Sequence, residues 1–122
     1  MPIKTKRVYD RYRKSDGVRI LVDRLWPRGM SKGTAHLDRW SRDISPSNEL
    51  RKWFGHNPER WKEFEARYRR ELKSRERREA LKELKHLASK RTVTLLFGAR
   101  DPEHNNAVVV EEMLKQNARR KR

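Results

Sequence analysis

The feature that most constrains the fold is an aliphatic run at residues 20–22, Ile-Leu-Val, that leads directly into a charged segment at residues 23–29, Asp-Arg-Leu-Trp-Pro-Arg-Gly. Three consecutive aliphatic residues are typical of a strand that is covered on both faces, as in a parallel sheet. Side chains that follow such a strand emerge at its carboxyl end, where open α/β sheets bind ligands. The segment therefore predicts both a parallel sheet and the position of a site.

Two further stretches have strand character. Residues 3–9 alternate imperfectly between apolar and polar side chains, and residues 92–98, Thr-Val-Thr-Leu-Leu-Phe-Gly, are β-branched and apolar. With residues 19–25, they predict three strands. Between residues 27 and 34, Pro and Gly predict a loop.

The stretch between the second and third predicted strands is helical in pattern. A first helix is predicted after Ser45-Pro46-Ser47 and ends at Gly55, because a hydroxyl cap, an early proline and a terminal glycine mark helix ends. A second begins after the Asn-Pro pair at 57–58 and carries apolar residues at helical spacing, with a break predicted over residues 74–78. A last helix is predicted to follow the Asp-Pro-Glu sequence at 101–103 and to end near Gln116.

These elements predict the fold class: a small α/β domain with a short, mostly parallel sheet and a long helical insert before the last strand. The chain has 122 residues, enough for one modest core. We expect a single domain over residues 1–117 and a basic, disordered tail over residues 118–122.

The charge is strongly positive. The formal net charge is +16, and 41% of the residues are charged. Such a chain attracts polyanions, including nucleic acid and phosphorylated metabolites, although a solvated Arg-rich surface gives the same charge. The sequence has no cysteine, which excludes disulfides and thiolate catalysis and agrees with a reducing cytoplasm. Without a signal-like or membrane-spanning apolar run, we expect a cytoplasmic protein with no membrane partner.

Four blocks resemble a known family. They are Val-Asp-Arg-Leu-Trp-Pro-Arg-Gly at 22–29, Leu-Arg-Lys-Trp-Phe-Gly-His at 50–56, the segment 60–68 and the segment 94–105. In order and spacing, these blocks resemble the YeaO-like bacterial proteins, a domain of unknown function, family 488. The resemblance covers residues 3–116 and implies a three-layer α/β fold and a cytoplasmic bacterial protein, without implying an activity. Broader relatives often have a cysteine at the end of the last strand, where this chain has Phe97-Gly98, and a Cys-His-Arg group where it has Asn105-Asn106-Ala107.

If the second and third predicted strands are parallel neighbours, the segments that follow them converge at one edge of the sheet. Arginine side chains there offer forked donors suited to phosphate or carboxylate, the start of the last helix adds a partial positive charge, and Gly98 allows close backbone approach. The predicted ligand-binding residues are Asp23, Arg24, Trp26, Arg28, Gly98, Arg100, Asp101 and Asn105.

Several of these residues also have purely structural explanations. Asp101 is explained by a helix N-cap, Asp23 by neutralisation of nearby arginines, and Trp26 by a role as a lid on the core. Arg28, between Pro and Gly in a turn, has the weakest structural explanation. Asp23 and His104 are candidates for general acid/base catalysis, which only their separation could support. The four histidines lack metal-ligand spacing, and the chain lacks a Gly-rich phosphate loop, so we expect no metal or other cofactor and disfavour the common modes of nucleotide binding.

Three functions are consistent with this sequence. The first is binding of a phosphorylated or otherwise anionic small ligand at the strand ends, with or without catalysis. The second is a nucleic-acid-binding module in which Trp26 and Trp40 stack bases, since Trp53 and Trp61 lie on helical stripes that face a core. The third is a protein-interaction module that docks through the insert at residues 58–90.

Overall fold

The computed structural model describes the backbone of residues 2–120 and the side chains of residues 2–116. Its centre is a four-stranded parallel sheet made of β1 (Ile3–Arg7), β2 (Val18–Leu21), β3 (Arg39–Trp40) and β4 (Val93–Phe97). The strand order is β1-β4-β2-β3. The predicted α/β class and parallel sheet are confirmed.

β4 lies between β1 and β2 and is buried along its whole length. Val93 lies opposite Ile3 of β1 and Val18 of β2, and the pairing with β2 continues beyond its end, where the Val22 amide donates to the Leu96 carbonyl at 3.1 Å. The second predicted strand, 19–25, was too long, because the chain leaves the sheet after Val22. No sequence pattern predicts β3, because its two residues are too few to show a period.

Within residues 2–120, five α-helices accompany the sheet. They are α1 (Lys32–Ala35), α2 (Asn48–Phe54), α3 (Trp61–Glu71), α4 (Arg75–Lys90) and α5 (Asn106–Arg120). Two of the predicted signals at α2 are confirmed: the Ser47 hydroxyl accepts a hydrogen bond from the Leu50 amide at 3.2 Å, and Gly55 ends the helix with φ +52°. The proline predicted near the first helical position is not in the helix, because Pro46 precedes the N-cap residue. The helix break predicted over residues 74–78 lies slightly earlier, since α3 ends at Glu71 and Ser74 is the N-cap residue of α4.

Helices α2 to α5 share one core with one face of the sheet. The apolar stripe of α3, including Phe64 and Tyr68, packs into this core beside Ile20 and Leu95, as does Leu72 at the end of the helix. The opposite face is covered mainly by the segment between β2 and β3, including Trp26, Met30 and Leu37, in which the structure has one α-helix, the four-residue α1. The third layer of the domain is therefore mostly irregular chain.

A buried ionic cluster ties this irregular layer to the sheet. Arg19, 1% exposed, donates to the Asp16 carboxylate and to the backbone carbonyls of Ala35 and His36 at 3.1 and 3.0 Å. Asp16 also accepts from Lys6 at 3.0 Å. Burial raises the pKa of the Asp16 carboxyl, but hydrogen bonds from Lys6, the Arg13 amide and Arg19 outweigh it, so its net pKa is lowered.

The last helix differs from its prediction at both ends. It begins at Asn106 and not directly after Asp101, and it continues to Arg120 instead of ending near Gln116. The side chains beyond residue 116, and residues 121 and 122 altogether, lie outside the described part of the chain. The disorder predicted for the tail at 118–122 stays a prediction. Among residues 2–120, none of the helices is long and apolar enough to cross a lipid bilayer.

Candidate functional site

A cavity of about 450 Å³ lies at the carboxyl edge of the sheet. Its walls come from the segment after β2, the segment after β4, the end of α2 and the start of α5. These elements meet because β2 and β4 are parallel neighbours, so the chain leaves both strands at the same edge. The predicted convergence of the two segments is present in the structure.

Asp23 is the acidic group of this cavity; among the lining residues, all of which the structure describes, no other is acidic. Its Oδ2 accepts a hydrogen bond from the Gly98 amide at 2.9 Å, and the Asn106 side chain is a second donor. A Cβ atom at residue 98 would lie 3.2 Å from that oxygen, so glycine permits the close approach. Burial raises the pKa of the Asp23 carboxyl, and these hydrogen bonds together with the attraction of His56 offset only part of that effect.

Four cationic side chains, counted among the described residues, line the same cavity. Arg24 and Arg28 follow β2, and Arg51 and Lys52 lie on the last turns of α2. The Arg24 Nε donates to the Pro46 carbonyl at 3.0 Å, which orients its guanidinium group. The buried Nε of Arg51 has no hydrogen-bond partner within the described residues. The cavity thus carries a cationic excess.

The segment after β2 is held in place by three hydrogen bonds from aromatic side chains. The Tyr9 hydroxyl donates to the Arg28 carbonyl at 2.8 Å, the Trp26 Nε1 to the Met30 carbonyl at 2.6 Å, and the Trp40 Nε1 to the Asp23 carbonyl at 2.8 Å. These bonds position the backbone on both sides of Arg24 and Arg28. Hydrogen bonds within the protein therefore hold this wall of the cavity in place.

The candidate stacking platforms, Trp26 and Trp40, contact each other. Their rings lie edge to face, 5.3 Å apart, and pack against Val8, Leu21 and Leu96 on the thinly covered face of the sheet. The structural explanation of Trp26 as a lid over apolar residues therefore holds, although its side chain also lines the cavity.

Most of the predicted site residues come together. Those that line the cavity are Asp23, Arg24, Trp26, Arg28, Gly98 and Asn105. Arg100 and Asp101 are not among the lining residues. That any of these residues binds a ligand stays a prediction.

The structure corrects the role of Asp101. Its carboxylate accepts from the amides of Glu103 and His104 at 2.9 and 3.2 Å, which closes a turn ahead of α5. The residue that caps α5 is Asn105, whose side-chain oxygen accepts from the Val108 amide at 3.2 Å. Proline after aspartate predicted a helix start, but the chain makes one extra turn before the helix begins.

The proposed pairing of Asp23 with His104 finds no support in the contacts. The His104 Nδ1 is 2.7 Å from the Asp101 Oδ2, and its ring lies edge to face on Trp61. Hydrogen bonding to His104 is the main cause that lowers the pKa of Asp101. The histidine that lines the cavity is His56, which follows α2 with an unusual φ of +58°.

Local sequence patterns do not predict the contribution of α2 and of Asn106, the first residue of α5. Arg51, Lys52, His56 and Asn106 line the cavity, and the Asn106 Nδ2 also donates to the Val22 carbonyl at 2.9 Å. Gly55 predicts that α2 ends soon after Lys52, but it does not predict at which edge of the sheet the helix ends. The chemistry available in the cavity is anion binding by arginine and lysine beside one acceptor carboxylate.

Comparison with known proteins identifies the family of this chain. The model of the family described as "Inactive DUF488-N3 subclade" matches residues 2–122. The chain is similar to the uncharacterised protein YeaO of Escherichia coli, with 44% identity covering 94% of this chain and 98% of that protein. It is also similar to the uncharacterised proteins Mb3100c of Mycobacterium bovis and Rv3073c of Mycobacterium tuberculosis, each with 38% identity covering 92% of both chains.

No solved structure matches the chain significantly. The relatives and the family model nevertheless cover nearly all of its length and agree with the resemblance seen in the four sequence blocks. The chain therefore belongs to the YeaO-like DUF488 family, within the inactive DUF488-N3 subclade.

Proposed function

We propose that this protein binds a phosphorylated or otherwise anionic small ligand in the cavity at the carboxyl edge of the sheet. The observation that carries the proposal is the group of four cationic side chains around one pocket, Arg24, Arg28, Arg51 and Lys52. Guanidinium groups donate in a fork that matches phosphate and carboxylate oxygens. The volume of about 450 Å³ falls in the range of small-molecule sites.

The start of α5 supports the same ligand class. Asn105 and Asn106 both line the cavity, and α5 begins there and runs for 15 residues. The first amides of a helix point along its axis and give that end a partial positive charge, which favours an anion. Phosphate contacts would come from side chains, in keeping with the lack of a Gly-rich loop, and this helix end adds a positive potential to the cavity.

The simplest form of this function is that the protein binds its ligand without catalysing a reaction of it. The family description calls the subclade inactive. Where broader relatives often carry a cysteine at the end of the last strand, this chain has the buried Phe97, 1% exposed, and the whole sequence contains no cysteine. We therefore propose a cytoplasmic binding protein that uses Asp23 as a ligand acceptor and not as a catalyst.

A thermal-shift titration with inorganic phosphate and phosphorylated metabolites tests the proposal. A ligand that binds only the folded state raises the melting temperature in proportion to its occupancy. Arg28→Gln and Arg51→Gln should each weaken binding by roughly tenfold, the loss expected for one hydrogen bond to a charged group.

Arg100→Gln is the matched control. Arg100 is an exposed arginine of the segment after β4, but it does not line the cavity. Its removal changes the net charge by the same amount, so a ligand held in the cavity should bind this variant like the unaltered protein. Equal losses in all three variants, or the absence of any shift beyond a general salt effect, would refute the proposal.

Nucleic-acid binding is a second candidate, favoured by one surface segment. Residues 11–14, Arg-Tyr-Arg-Lys, are all exposed, and the Tyr12 side chain is 43% exposed. Exposed tyrosine among arginines suits base stacking and phosphate contact. However, one face of Tyr12 already stacks on His36 at 4.3 Å, and the Arg19 guanidinium lies 5.2 Å from its ring, which leaves less of the ring for a base.

A further inference from the structure

The cavity that we propose binds an anion is not cationic throughout. Arg28 and Lys52 are exposed, which places them at its mouth, whereas Phe54, Phe64 and Asn105 are buried. Asp23 lies on the buried side, because its carboxylate contacts the Gly98 amide at the end of β4. One side of the cavity therefore suits an anion, and the other side carries a carboxylate.

The Asp23 carboxylate has acceptor capacity left for a ligand. An ionised carboxylate accepts roughly four hydrogen bonds. In the described part of the chain, its hydrogen-bond donors are the Gly98 amide and the Asn106 side chain. Because both groups donate, the Asp23 carboxylate acts as an acceptor in these contacts. An N–H group of a ligand could donate a further hydrogen bond to the Asp23 carboxylate.

A bare anion fits this arrangement poorly. A phosphate ion deep in the cavity would be repelled by the Asp23 carboxylate. A phosphate ion bound at the mouth would not contact the rest of the cavity. The apolar side chains that line the cavity include Leu25, Trp26, Phe54 and Phe64. These side chains suit the apolar body of an organic molecule.

We propose that the ligand is a phosphomonoester whose organic part carries an N–H donor, with the phosphate at Arg28 and Lys52 and the N–H group on Asp23. Nucleoside monophosphates have this chemistry, since their bases present N–H groups on a flat body opposite the phosphate. This inference rests on the proposed function and adds the ligand class to it.

A matched ligand series measured by calorimetry tests the inference. The probes are inorganic phosphate, phenyl phosphate, 4-aminophenyl phosphate and the four common nucleoside monophosphates. Phenyl and 4-aminophenyl phosphate differ by one amino group, so their ratio isolates the N–H donor, and the nucleotides distinguish a nucleobase from a simple amine. We expect at least one N–H-bearing phosphomonoester to bind roughly tenfold more tightly than phenyl phosphate, as for one charge-assisted hydrogen bond.

Asp23→Ala removes the acceptor and should reduce that preference to nearly nothing. If the unaltered protein binds phenyl phosphate as tightly as every N–H-bearing ligand, the inference is wrong and anion binding still stands. If none of the probes binds, both fail. The ligand series gives this answer in the unaltered protein, even if the variant does not fold.

Discussion

Two aspartates, Asp16 and Asp23, show how the surroundings of a single residue set its ionisation. Asp16 is 3% exposed, yet its pKa is lowered, because Lys6, the Arg13 amide and Arg19 all favour its charged form and outweigh burial. Two hydrogen-bond donors and nearby His56 lower the pKa of Asp23. The effect of burial is larger, so its pKa is raised. The two carboxyl groups should therefore affect stability in opposite directions as the pH changes.

Asp16→Asn should destabilise the protein by about 3 kcal/mol at pH 7, because it leaves Arg19 buried without its anionic partner. A lowered pKa gives stabilisation that is fully present above the unfolded value of about 3.9 and is lost as the pH falls through the folded value. Denaturant unfolding between pH 3 and 7 should show the variant and the parent converging at the acid end. Asp10→Asn, at an exposed aspartate, is the control and should change little.

Asp23→Asn should have the opposite pH signature. A raised pKa means that folding disfavours the ionised carboxyl, so its cost is absent below the unfolded value of about 3.9 and fully present above the folded value. The amide oxygen of asparagine can still accept from the Gly98 amide. We expect the variant to melt higher than the parent at pH 7.5, with the difference shrinking toward pH 4. A variant that melts lower at pH 7.5 would contradict this assignment.

At the scale of the elements, the junction before β2 depends on one glycine. Gly17 has φ +68°, and a Cβ there would lie 2.3 Å from the Thr92 carbonyl oxygen. That oxygen accepts from the Val18 amide at 2.9 Å, which starts the pairing of β2 with β4. The glycine thus allows the two strands to come together at their first residues.

Gly17→Ala should cost more than the positive φ alone explains. Gly29 is a matched control, because its φ is +76° and a Cβ there meets nothing within 4 Å. We expect Gly29→Ala to cost about 1 kcal/mol for the left-handed backbone, and Gly17→Ala to cost about 1–3 kcal/mol beyond that for the clash. Chemical denaturation measures both; equal losses would show that Thr92 moves away without cost.

At the scale of the whole molecule, the net charge of +16 predicts weak attraction of polyanions, which would make a specific site harder to detect. Binding of a 20-nucleotide single strand, followed by fluorescence anisotropy, should weaken by about three-hundredfold between 50 and 200 mM salt if about six phosphates are contacted. Arg28→Gln and Arg100→Gln should weaken it equally, in contrast to the small-ligand titration.

A truncation separates the tail from the surface in the same assay. Removal of residues 119–122 takes away four basic residues. If all nucleic-acid binding disappears with them, the attraction is tail electrostatics and the second candidate function is wrong. If most of the affinity remains, the exposed segment at residues 11–14 is the next segment to alter.

The sequence by itself determined those features that local patterns encode. The buried runs at 20–22 and 93–97, the cap at Ser47 and the stop at Gly55 are confirmed, because burial period and capping chemistry act within a few residues. Parallel strands also follow from such runs, and with them the edge at which Asp23, Arg24 and Arg28 emerge.

Only the tertiary structure decided which distant segments complete that edge. Arg51 and Lys52 enter the cavity because α2 packs on the sheet with its last turn directed at the strand ends, a direction that no local pattern encodes. The extra turn at Asp101 likewise moves the helix start to Asn106 and brings the Asn106 side chain to Asp23. Caps and periods are local properties of the chain, whereas the composition of a cavity depends on the packing of elements far apart in sequence.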